Sequence, residues 1–264
     1  MFGSVRTGVE SSGNTGVADF TSRWGVQGSS EVSEGLTAVY RYERGLNSTS
    51  ATDTGGRLSY VGLSGGFGTI TMGQVWGAAY NHFGGIVDQA LNYGSPGTTG
   101  YRFGNVVSYS VSVGNVSLQA DAIMDQAKGK TGDGFNFGAT LGGLMETGSV
   151  ALAHRKHVDI LAADEDDDDF ESGTAGQSST YLAGNYGIGD MTVFLGYSED
   201  KTEVDGTTDD AHIAGIKAKT TFAGVHGGVG DTGVNYVFTM RSNKTTKTTQ
   251  GDDDQPKHLS LIHI

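Results

Sequence analysis

Apolar and polar residues alternate over stretches of about ten residues along most of the chain, and clusters of Gly, Asn, Ser, Thr or Asp separate one stretch from the next. In 116–126, Val116, Leu118, Ala120, Ala122 and Met124 take one side, and Ser117, Gln119, Asp121 and Asp125 the other; Ile123 breaks the pattern. In 191–198, Met191, Val193, Leu195 and Tyr197 oppose Thr192, Gly196 and Ser198, with Phe194 out of place. In 234–241, Val234, Tyr236, Phe238 and Met240 oppose Asn235, Thr239 and Arg241. A period of two is the strand signature, because successive side chains leave a strand on opposite faces. One apolar and one polar face over about ten residues suits a strand with lipid outside and water inside. The rule predicts thirteen strands, at 2–11, 20–29, 36–45, 57–65, 67–76, 105–114, 116–126, 135–143, 148–158, 179–188, 191–201, 211–222 and 233–244.

The connectors between these strands alternate in length. Ser30–Gly35, Gly65-Gly66, Gly114-Asn115 and Gly189-Asp190 are tight, whereas 46–56, 77–104, 127–134, 159–178 and 202–210 are longer and polar. Short turns at one rim and long loops at the other characterise outer-membrane barrels, with the long loops external. The expected fold is therefore all-β, a transmembrane antiparallel β-barrel. A first strand running outward makes the thirteenth run outward too, and about three more strands would complete a sixteen-stranded barrel, a common size for pores.

Composition narrows the function. Glycine is abundant, 44 of 264 residues, and proline rare, with 2, which disfavours helices. No run approaches the ~18 apolar residues of a membrane helix, and the mean hydropathy of −0.27 reflects the polar half of each strand. A net charge of −13 argues against nucleic acid as a partner. The acid clusters in DEDDDD at 164–169 and DDD at 252–254, among Ser, Thr, Gly and Gln, as in solvated loops. The absence of cysteine fits passage through an oxidising compartment without a disulfide framework. MFGSVRTGVE lacks the charged and apolar regions of a signal peptide, so export is expected to depend on residues outside this sequence. The last six residues, LSLIHI, follow an acidic loop and match translated adapter sequence, so 259–264 is expected to be read-through and non-strand, with 1–258 one incomplete barrel domain.

Residues 55–74, GGRLSYVGLSGGFGTITMGQ, resemble the signature hairpin of the trimeric Gram-negative porin family, in which a strand of type RxxFVGL meets a tight glycine turn and then FGxxxxG. RWGVQGSSEVSEGLTAVYRYERG at 23–45 and YRFGNVVSYS at 101–110 are similar to that family in the same order. The resemblance implies a homotrimer of barrels in the cell outer membrane, among lipid and lipopolysaccharide, each passing ions and small polar solutes without cofactor or catalysis. It also implies that the third outer loop, Gly77–Gly104, folds inward and sets acidic residues against basic wall residues. The constriction implied here comprises Arg6, Arg23, Arg41, Arg57, Gln74, Asp88 and Arg102. Alternation puts the first four arginines on the polar face, with Val5, Trp24, Tyr40 and Leu58 on the other. The sequence departs from the family at Gly73-Gln74, where Gly-Arg is usual, and in having Asp88 as the loop's sole carboxylate.

Other motifs point elsewhere with less force. DEDDDD has the oxygens a Ca²⁺ site wants but not the spacing of a preorganised loop. His154 and His157 flank Arg155 and Lys156, cations that disfavour a metal. GLSGGFG is followed by a strand pattern, unlike a phosphate cradle, and no nucleophile elbow occurs. The alternatives are an adhesin or receptor barrel, which leaves the long third loop unexplained, and a secreted Ca-binding β-protein, which predicts no lipid-facing belt.

Overall fold

The computed structural model describes residues 1–12, 14–89, 102–124, 134–160, 174–205, 207–208, 211–212, 216–230, 235–247 and 259–262. The acidic runs at 164–169 and 252–254 lie outside the described residues.

The chain begins with β1 (Phe2–Ser4), β2 (Thr7–Ser12), β3 (Asn14–Asp19), β4 (Arg23–Ser33), β5 (Leu36–Asn47), β6 (Thr52–Gly65) and β7 (Gly68–Trp76). A short helical stretch follows, π-type over Tyr80–Gly84 and α-type over Gly85–Val87. Then come β8 (Arg102–Val113), β9 (Val116–Ile123), β10 (Gly134–Leu144), β11 (Gly148–Ile160), β12 (Thr174–Ile188) and β13 (Met191–Asp205). The two-residue β14 (Thr207–Thr208) and β15 (Ala211–His212) precede β16 (Ile216–Gly228), β17 (Asn235–Lys247) and β18 (Leu259–Ile262).

Fourteen of these strands form one antiparallel sheet in which each pairs with the next along the chain, from β1 and β4 through β13, β16 and β17 to β18. Gly114 and Gly189 make the tight turns possible, holding φ of 57° and 58°, which an L side chain resists. The apolar residues of the alternating pattern face outward, as an exposed band including Val61, Leu63, Met72, Leu152, Leu182, Leu195 and Met240. So much exposed apolar side chain makes sense against lipid rather than water. The fold is a transmembrane antiparallel β-barrel wall.

The expected strands are present, with corrections. The first leaves the barrel wall after Ser4: the Arg6 N–H bonds Ser22 Oγ at 2.8 Å, and its carbonyl accepts from Phe20 N at 2.8 Å. Thr7–Asp19 then pairs with itself as the β2–β3 hairpin, a separate two-stranded sheet. The strand expected at 211–222 shifts to Ile216–Gly228. Arg102–Gly104, assigned from sequence to the third loop, open β8. Nor is all of LSLIHI non-strand. Leu259–Ile262 pairs with Thr239–Ser242, because a short alternating segment can satisfy the open backbone groups of an edge strand.

Candidate functional site

Trp76 ends β7, and the chain then turns into the barrel instead of out over its rim. Two sets of inward-facing side chains seat it. The first is polar and lies on β9 and β10. The Ala78 N–H donates to Asp121 Oδ2 at 2.7 Å, and Asn81 Nδ2 donates to Gln119 Oε1 at 2.7 Å. Gln119 Nε2 donates in turn to the Trp76 carbonyl at 3.1 Å and to Asp121 Oδ1 at 2.8 Å, while Asn136 Nδ2 reaches Asp121 Oδ2 at 3.2 Å. His82 Nδ1 lies 2.7 Å from Thr140 Oγ1; burial pushes its imidazole below the ordinary range, keeping it neutral at neutral pH.

The second set is apolar and lies on β11, β12, β13 and β16. Phe83, Ile86 and Val87 pack on Ala151, Ala153, Tyr181, Ala183, Phe194 and Phe222. The Phe83 ring centroid is 5.1 Å from that of Tyr181 and 5.7 Å from that of Phe222. Small wall residues provide the room: a Cβ on Gly196 would lie 2.5 Å from Val87 Cγ1. The seat explains one of the two breaks in the alternating pattern, and a separate cluster of wall side chains explains the other. Phe194 faces inward because the helical stretch covers it, and Ile123 faces inward into a cluster with Val75 and Val106.

Across the lumen from this seat stands a basic wall. Arg41 Nη2 donates to Glu43 Oε2 at 2.5 Å and Arg57 Nε to Glu43 Oε1 at 2.6 Å, and the Glu43 side chain is fully buried between them. Trp76 stacks on Tyr80, with centroids 4.2 Å apart and planes inclined by 19°. The Arg57 and Arg102 guanidiniums lie 5.8 Å and 5.2 Å from the Trp76 ring centroid. Arg6, Arg57, Glu43 and Tyr80 all act electrostatically on Arg23, at the start of β4. The inward segment and this wall thus meet at Trp76 and Tyr80.

Not every expected residue joins that cluster in the same way. Arg23, Arg41, Arg57 and Arg102 gather around Glu43, Trp76 and Tyr80. Arg6 lies at the edge of the cluster and donates from Nε to Ser4 Oγ at 3.1 Å. Gln74 alternates onto the face of Ile70 and Met72 and donates its amide to the Arg57 carbonyl at 2.9 Å. Asp88 is hydrogen-bonded by Tyr80; burial pushes its carboxyl up, and that hydrogen bond opposes the shift. Tyr80 is acted on both by Asp88 and by Arg23 and Arg57, so it links the loop's carboxylate to the wall. Leu58 is not on the outer face. A bulge at Arg57 sets Leu58 opposite Glu43, and it is 1% exposed. Of the inward loop, 77–89 is described and lies inside; 90–101 is outside the described residues.

Sequence reasoning missed Glu43, although it is two residues from Arg41 and so on the same face. It also missed Trp76 and Tyr80, which carry no charge to mark them.

A family model described as Gram-negative porin matches residues 1–261. The chain belongs to the Gram-negative porin family. Curated relatives of this porin include the major outer membrane protein P.IB of Neisseria gonorrhoeae, 42% identical over 73 residues, 27% of this chain and 19% of that protein. P.IB of Neisseria meningitidis serogroup A is 32% identical over 91 residues, 28% of this chain and 27% of that protein. The porin thus aligns with about a quarter or less of the length of these relatives. Its fold is similar to the anion-selective porin from Comamonas acidovorans, with a TM-score of 0.66 and 17% identity over 93% of this chain and 78% of that one. It is also similar to Salmonella typhi OmpF in complex with daunomycin, with a TM-score of 0.66 and 16% identity over 97% and 81%. The porin is an outer-membrane protein.

Proposed function

We propose that this porin is a passive outer-membrane pore for ions and small hydrophilic solutes, working as a homotrimer. Its constriction lies between the inward loop and the arginines at positions 23, 41, 57 and 102. The observation that carries the reading is the seating of Gly77–Gln89 inside the barrel, on one set of strands and facing the basic wall on another. A wall segment that occupies part of a lumen narrows it without closing it. The charges fixed there then act on a passing ion across a short, poorly screened distance.

Four guanidiniums face two carboxylates, Glu43 and Asp88, which gives weak anion preference. Family membership favours a channel over an enzyme, and the site has the groups to bias diffusion. Swelling of liposomes containing the purified protein, in sugars of graded size, tests the reading. Rates that fall steeply with solute size support a constricted pore; no swelling in any sugar contradicts it.

A further inference from the structure

Near the short turns, the register of β6 to β10 sorts inward residues into rows of hydroxyl and amide groups. One row runs Ser64, Thr69, Ser110, Gln119. The next row towards the turns runs Ser112, Ser117, Thr140. With Asn81 and His82 of the inward loop and the glycines of the β6–β7 turn, these rows line a recess of about 660 Å³, an ordinary size for a small-molecule site. None of the described residues lining it is charged at neutral pH, since burial keeps His82 neutral. The basic wall has no part in it: Arg102 opens β8, whereas Ser110 and Ser112 lie close to the end of that strand.

The hydroxyls are paired without being used up. Ser64 Oγ lies 2.8 Å from Thr69 Oγ1, and Ser112 Oγ lies 3.0 Å from Ser117 Oγ. Two hydroxyls hold two protons and four lone pairs, and the bond between them uses one of each. Each pair therefore keeps a proton to donate and lone pairs to accept with. The far side is fixed by the bonds that seat the loop, for Asn81 and Gln119 are tied to each other at 2.7 Å and both donate to the Trp76 carbonyl. An ion gains little here, because no opposite charge offsets the hydration it would shed. A neutral solute rich in hydroxyls gains at every group, because each of its hydroxyls also donates and accepts.

We propose that this recess is a subsite for a neutral polyhydroxy solute, one or two sugar rings in size, on the short-turn side of the inward loop. It rests on the pore reading for how the solute arrives, but binding itself needs no conduction. With no charge and no aromatic ring among its described lining residues, the subsite holds its ligand weakly, with a dissociation constant on the order of millimolar. It delays a sugar without trapping it, at a place separate from the arginines that act on ions.

The test is saturation-transfer NMR of the protein purified in lauryldimethylamine oxide, a detergent without a sugar headgroup. Maltose should receive saturation from the wild type. Tetraglyme, a chain of ether oxygens that accepts hydrogen bonds but donates none, should receive at least fivefold less. The triple variant Ser110→Ala/Ser112→Ala/Ser117→Ala, which removes three hydroxyls, should weaken maltose binding at least fivefold, and Ser110→Leu, which fills the recess, should abolish it. Heat-dependent gel mobility reports folding; if the triple variant is unfolded, Ser110→Leu decides. No transfer to maltose, equal transfer to tetraglyme, or maltose binding unchanged in a folded variant overturns the proposal. Liposome swelling separates this from the pore reading. Maltose binding that the variants lose, in a protein that gives no swelling, supports the subsite and contradicts the pore; swelling without maltose binding overturns the subsite alone.

Discussion

Glu43 lies between Arg41 and Arg57, so removing its charge leaves two guanidiniums side by side on the lumen wall with nothing to offset them. Glu43→Gln should move the zero-current potential across a KCl gradient towards anions, and Glu43→Ala should also lower stability by about 3 kcal/mol, the cost of breaking a buried pair. Denaturant unfolding measures the second effect. Asp88 gives the lumen a pH dependence whose sign follows from its burial. Its folded-state pKa is raised, so on acidification it takes up its proton at a higher pH than an ordinary aspartate. Anion preference should therefore rise as pH falls through that range. By linkage, the same group favours the seated loop on the acid side and loses that contribution as pH rises through the raised value. Asp88→Asn should abolish the pH step and hold the pore in its acid-side selectivity; a step that persists in Asp88→Asn removes Asp88 from the account. At this scale alternation located Arg41 and Arg23. It failed at Leu58, because a bulge shifts the register at Arg57, next to Gly55 and Gly56, whose glycines are the sequence sign of such a break.

The helical stretch at Tyr80–Val87 is held by its fit to the wall, since so short a helix has little stability of its own. A Cβ at Gly138 would run into His82 Cδ2, and one at Gly196 would lie 2.5 Å from Val87 Cγ1. Gly138→Val and Gly196→Val should each unseat the stretch at a cost of about 1–3 kcal/mol, typical of overpacking. Single-channel conductance should rise, while heat-dependent gel mobility shows the barrel intact. Unchanged conductance in both would mean that this stretch does not limit flow. The strands themselves were legible, because each has a wet face and an oily one. The loop seat was visible only as one unexplained residue, Phe194, which departs from alternation because the helical stretch covers it. The β2–β3 hairpin was not legible. Val5 and Val9 keep one phase on either side of Arg6, and the hydrogen bonds of Arg6 reveal that the chain has left the wall.

Across the molecule, a group of arginines and a group of lysines lie on opposite faces of the wall, while Arg44 stands on the outer face with Tyr42 and Asp53. Arginines 41, 57, 102 and 155 face the lumen, where planar guanidiniums stack on Trp76 and Phe103 or pair with Glu43. Lysines 201, 217 and 219 face outward, around Glu199. The inner set and the inward loop make the central claim, a conducting pore narrowed at Tyr80 and Trp76. The chain has no cysteine, so Tyr80→Cys introduces a single reactive thiol at that point. The decisive measurement is the single-channel conductance of Tyr80→Cys in planar bilayers, before and after a negatively and a positively charged methanethiosulfonate reagent. Conductance should fall with either reagent, the anionic one should move the zero-current potential towards cations and the cationic one towards anions, and the wild type should not respond. An absence of channel events, or a Tyr80→Cys conductance that neither reagent alters, would contradict the account.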